Sequence, residues 1–124
     1  MKEAISTNAA PAAIGPYSQA IRTDSLIFCS GQLPIDPATG IMPEGIKAQT
    51  EQSLANVRAI LEAEGLDINN VVKTTVLLAD MSLFAEMNEV YGETFSLPFP
   101  ARSAFAVKSL PMGALVEIEV IASR

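Results

Sequence analysis

Two consecutive segments constrain this chain more than anything else in it. Across residues 46–64 apolar side chains fall at 46, 54, 57 and 61, close to the helical period, and Gly65 is suited to end a helix in a left-handed turn. Residues 71–78 (VVKTTVLL) follow, a β-branched run that reads as a largely buried strand. A helix feeding a buried strand needs a sheet for that strand to join, and the flanking sequence supplies one. Residues 17–22 and 25–30 read as strands joined by a tight hairpin at Thr23-Asp24, and Asp36-Pro37-Ala38-Thr39-Gly40 is a turn signal. Asp80 or Ser82 can cap a second helix whose apolar stripe is Phe84, Met87, Tyr91 and Phe95. That helix cannot continue through Leu97-Pro98-Phe99-Pro100. Residues 101–107 and 115–122 read as the last two strands. The order ββ-α-β-α-ββ predicts one α+β domain over residues 1–124, a two-layer unit with both helices on one face of the sheet.

Such a unit leaves the other sheet face uncovered, and the composition agrees. The chain is 49% hydrophobic with a mean hydropathy of +0.31. Yet no apolar run approaches the roughly 18–20 residues of a membrane span. The surplus fits subunit interfaces, so an oligomer is expected and a membrane partner is not. The amino-terminal segment lacks an apolar leader, and Cys29, the single cysteine, has no partner for an internal disulfide. Both features predict a cytoplasmic location. A net charge of −6 and dispersed lysines argue against nucleic acid as a partner. The absence of histidine removes Ser-His-Asp and Cys-His catalysis and HExxH zinc sites. One cysteine excludes CxxC patterns, and no glycine-rich nucleotide loop is present. Any chemistry must come from carboxylates, tyrosine, serine, lysine, arginine, backbone groups and water.

Arg102, in Phe99-Pro100-Ala101-Arg102-Ser103-Ala104-Phe105, is the first candidate. On a strand it shares a side with Ala104 and Ala106, where a guanidinium has room to receive a carboxylate through paired hydrogen bonds. A structural ion pair or an exposed rim position would explain it equally. Glu117 and Glu119 lie on one face of the last strand, roughly 7 Å apart, and could divide acid and base roles. Alternating glutamates more commonly mark a solvated strand face. Asn88, between Phe84 and Tyr91 on the second helix, fits a ligand contact or a helix-packing amide. At Ser30-Gly31 a strand ends where a glycine lets a ligand, or simply a turn, approach the backbone. Tyr17 reads as a packing residue with its hydroxyl at a polar edge. Cys29 reads as a buried structural thiol.

Three segments carry a resemblance that covers nearly the whole chain in order and spacing. IGPYSQA at 14–20, CSGQLPIDPATG at 29–40, and PARSAFAVKSLP at 100–111 followed by VEIEVIA at 116–122 resemble the RidA (YjgF) family. The resemblance implies a chorismate-mutase-like fold assembled as a homotrimer, with ligand clefts between subunits. It implies hydrolysis of 2-imino acids, such as 2-iminobutanoate and 2-iminopropanoate, to 2-keto acids and ammonia, without cofactor or metal. By matching motif, Arg102 corresponds to the arginine that holds the substrate carboxylate, and Glu117 to the glutamate that positions water. Tyr17, Ser30, Gly31 and Asn88 correspond to cleft positions, Tyr17 from the neighbouring subunit. Ala104 departs from the cysteine of many members, which is tolerable if the backbone touches the ligand there. Glu117 is expected to have an ordinary pKa, about 4.3. The alternatives are a non-catalytic 2-keto acid or small carboxylate binder, a translation-inhibiting ribonuclease and a chaperone-like protein.

Overall fold

The computed structural model describes all 124 residues. Six strands form one sheet: β1 (Glu3–Ile5), β2 (Ala20–Arg22), β3 (Leu26–Gln32), β4 (Val71–Leu78), β5 (Ala101–Ala106) and β6 (Val116–Ser123). Two helices accompany it, α1 (Ile46–Glu62) and α2 (Phe84–Thr94). The spatial order is β1-β2-β3-β6-β4-β5, antiparallel throughout except that β5 runs parallel to β4. That parallel pair needs a crossover, and α2 provides it.

Alternation along the strands decides the layers. Val76 and Leu78 on β4, Val116, Ile118 and Val120 on β6, and Ile27 and Cys29 on β3 are all buried in one core with Leu54, Val57, Ile60 and Leu61 of α1 and Met87, Val90 and Tyr91 of α2. Both helices therefore cover the same face. The opposite face carries Phe28, Leu77, Phe105, Glu117, Glu119 and Ile121, with Phe28 42% and Phe105 47% exposed. This is the two-layer arrangement that the residue pattern predicts.

Several boundaries differ from expectation for local reasons. The 17–22 strand starts only at Ala20, because Gln19 is engaged elsewhere. Its buried carboxamide accepts from the Thr7 N–H (2.7 Å) and donates to the carbonyls of Thr7, Ala10 and Pro11. β1 has no alternation signal and exists as an edge partner of β2, braced by the Arg22–Glu3 ion pair at 2.9 Å. Helix α1 stops at Glu62, with Gly65 left-handed (φ 72°) three residues on. Asp80 caps not α2 itself but a short 3₁₀ turn, Met81–Leu83, by accepting the Ser82 N–H at 2.8 Å. The hairpin at Thr23-Asp24 closes as expected, with the Thr23 N–H donating to the Leu26 carbonyl at 2.8 Å.

Candidate functional site

Parallel pairing sets Arg102 beside Thr74, Ala104 beside Val76 and Ala106 beside Leu78, so all three face the helix layer. Ala104 packs against the core, while Arg102, on the terminal strand β5, sits half-buried at the sheet's edge under α2. Phe84, Asn88 and Tyr91 share the α2 face that meets it, by helical spacing. The Arg102 guanidinium donates to Asn88 Oδ1 at 2.7 Å, and its central carbon lies 4.6 Å from the Tyr91 ring centroid and 5.4 Å from that of Phe84. Behind the cradle, the Tyr91 hydroxyl and Thr74 Oγ1 are hydrogen-bonded at 2.7 Å. The Tyr91 ring also rests against Phe95, with centroids 4.6 Å apart. Burial pushes the Tyr91 hydroxyl above its ordinary pKa, against smaller opposing effects of Thr74 and Arg102, so the ring is a neutral phenol.

Arg102 has no carboxylate partner. Arg22 and Arg124 are tied to Glu64, Arg22 also to Glu3, and Lys47 to Glu89. Within the protomer no ion pair accounts for Arg102, and part of its five-donor fork remains unspent.

The second group of candidates lies on the other face of the sheet. Glu117 pairs with Leu77, an odd number of residues along β4 from Thr74, so it points away from the helices. Gly31 is its neighbour: a Cβ at Gly31 would collide with the Glu117 carboxylate. Strand β3 does not end at Ser30-Gly31 as expected but bulges there, its register with β6 shifting between Cys29 and Gln32. Bulges of this kind re-aim side chains beside binding sites. Ser30 Oγ donates to the Ser18 carbonyl at 2.6 Å and its N–H to the Gln19 carbonyl at 2.9 Å, which holds the Tyr17 segment against the bulge. Burial, and then the Glu119 charge, push the Glu117 carboxyl above its ordinary pKa, correcting the expected 4.3. Cys29 is buried, and desolvation drives its thiol up to about 12, an inert structural group.

Within one protomer the structure thus joins Arg102 with Asn88, Glu117 with Gly31, and Ser30 with the segment that follows Tyr17. It does not join Arg102 with Glu117. A groove of about 450 Å³ between Ile68–Val72 and Phe95–Pro100 contains none of the candidates and no charged side chain. A smaller hollow of about 310 Å³ is lined in part by Tyr17, Ser18 and Gln19. A lone protomer displays only half of any cleft formed between copies, so groove size in one copy does not locate such a cleft. No cluster of three or more His, Cys, Asp or Glu side chains is poised to hold a metal, and no helix is long and apolar enough to cross a membrane. Phe84, Tyr91 and Thr74 were legible only as core. Their link to Arg102 depends on the parallel β4–β5 pairing, although Asn88 at helical spacing between two aromatics is a signal for it.

A two-layer α+β domain with an unpaired arginine on its sheet edge is the class that fold and site define. A family model described as Endoribonuclease L-PSP matches residues 7–124. A mouse protein named 2-iminobutanoate/2-iminopropanoate deaminase is 52% identical over 123 residues, covering 98% of this chain and 91% of that protein. The crystal structure of RidA from Psychrobacter superposes with a TM-score of 0.95 at 48% identity, covering 98% of this chain and 99% of that one. That of TdcF from E. coli with bound serine gives 0.93 at 42%, covering 98% of each. The chain belongs to the RidA (YjgF) family.

Proposed function

We propose that this chain is a hydrolytic deaminase that converts 2-imino acids such as 2-iminobutanoate and 2-iminopropanoate to 2-keto acids and ammonia. The observation that carries the reading is an arginine stacked on aromatic rings, bonded to Asn88 and free of any carboxylate of its own. A substrate carboxylate docking on its remaining N–H groups would gain hydrogen bonds to a charged donor, each about 1.5–3 kcal/mol. The imine carbon is then fixed one bond from that anchor. Water held by the Glu117 carboxylate adds its oxygen to this carbon while Glu117 takes a proton. The carbinolamine nitrogen, protonated in turn, leaves as ammonia as the C=O forms. The elevated pKa of Glu117 suits this work, since a base nearer the working pH transfers protons more effectively.

Arg102 and Glu117 occupy opposite faces of the same sheet, so this mechanism requires a cleft composed by two copies. In our reading Arg102, Asn88 and Ala104 come from one subunit and Tyr17, Ser30, Gly31 and Glu117 from its neighbour, in a homotrimer. The open apolar face of the sheet supports such assembly. Arg102→Ala should lower kcat/KM for imine freshly generated by a coupled amino-acid oxidase by about 10²–10⁴-fold with the assembly intact. Unchanged turnover would refute the mechanism. The serine in the TdcF structure favours a second reading, a non-catalytic binder of small carboxylates. Keto-acid binding without imine turnover would decide for it. Loss of RNA cleavage in Arg102→Ala, in preparations freed of contaminating nuclease, would instead support a ribonuclease.

A further inference from the structure

Arg102 is anchored in an unusual way for a surface-edge cation: no acid neutralises it, and its surroundings are two rings and an amide. A long side chain in that position keeps its rotamer freedom unless neighbours hold it, and guanidinium stacks well on aromatic faces. Tyr91 is nearer than Phe84, is buried, and is itself immobilised twice, by its hydroxyl on Thr74 and by its ring on Phe95. Thr74 is fully buried on β4, the strand that pairs with Arg102, so the hydroxyl bond ties the helix bearing the rings to the strand beside the arginine.

We propose that Tyr91 is the positioning residue of Arg102, with Thr74 as its latch. The ring sets the plane of the guanidinium, Asn88 takes one N–H, and the remaining donor edge is held ready for a carboxylate. This rests on the reading of Arg102 as the carboxylate anchor. The pair acts on binding rather than on bond-making, because the carboxylate is held in ground state and transition state alike.

The test measures 2-oxobutanoate binding to the assembled protein by calorimetry, and KM and kcat in the coupled imine assay. Tyr91→Leu should weaken 2-oxobutanoate binding about tenfold. Tyr91→Phe, which keeps the ring, and Thr74→Val should each weaken it only about threefold. KM should rise by the same factors while kcat stays within about twofold. In the Arg102→Ala background, Tyr91→Leu should add nothing, since the group it orients is gone. Wild-type affinity in Tyr91→Leu, or full additivity with Arg102→Ala, overturns the proposal. If Tyr91→Leu fails to fold, Thr74→Val and Tyr91→Phe decide: weakened binding supports the latch and unchanged binding overturns it. Arg102→Ala alone separates the two levels. If it binds 2-oxobutanoate as tightly as wild type, the anchor reading itself falls; if it does not and the Tyr91 variants do, only the positioning role falls.

Discussion

The two faces of the sheet follow different rules. On the helix face Val76, Val116, Ile118 and Ala122 are completely covered, and Arg102, which unlike Arg22 on the same face has no carboxylate partner, sits on the edge strand in an aromatic cradle. On the open face two glutamates stand among Phe28, Leu77, Ile121 and Phe105, with no helix to cover them. One face is closed by the chain itself, and the other leaves Phe28 and Phe105 exposed. The candidate residues divide the same way, Arg102 and Asn88 on the helix face and Glu117 on the open one.

Substitutions can pull the two faces apart. Leu54→Ala, in the closed core, should cost about 2–5 kcal/mol of protomer stability, read as a large loss in chemical denaturation. Phe105→Asp on the open face should change protomer stability by less than about 1 kcal/mol yet dissociate the proposed oligomer in sedimentation. Equal stability losses from both would mean that the faces are not distinct. Gly31→Ala places a methyl group where the Glu117 carboxylate lies. The flexible glutamate can swing aside, so the fold should persist while imine turnover falls about 10–100-fold. Normal turnover would mean that the carboxylate's position is unimportant.

The smallest effect is a pH dependence. Glu117 binds its proton more tightly folded than unfolded, so its ionisation destabilises the native state. That penalty is complete above the raised folded pKa and vanishes as pH falls below the ordinary carboxylate range. Glu117→Gln should therefore be more stable than wild type at pH 7 and equal to it near pH 3.5, about 0.8 unit below the unfolded glutamate value. A constant difference across that range would remove desolvation as the cause.

Much of this was legible in the residues. The helical period of 46–64, the left-handed stop at Gly65 and the β-branched run at 71–78 each encode local structure directly. Side-chain alternation already grouped Arg102 with Ala104, and Glu117 with Glu119. What alternation cannot say is which face the helices choose, because alanines and a cationic edge residue carry no burial signal on β5. Strand order is long-range information too: that β6 inserts between β3 and β4 follows from no local pattern. The opposition of Arg102 and Glu117 depends on it. β1 was invisible because three residues at an edge need only backbone pairing. The Ser30–Gly31 bulge was invisible because it depends on the strand opposite.

Subunit complementation tests the central claim, that each cleft draws its arginine and its glutamate from different copies. Arg102→Ala and Glu117→Ala would be prepared separately, shown to be inactive, then denatured together, refolded and assayed for imine hydrolysis. The account predicts that the mixed assemblies recover a substantial fraction of wild-type activity, since some clefts regain both wild-type residues. Mixtures as inactive as the parents, with subunit exchange verified by mass spectrometry, would contradict it.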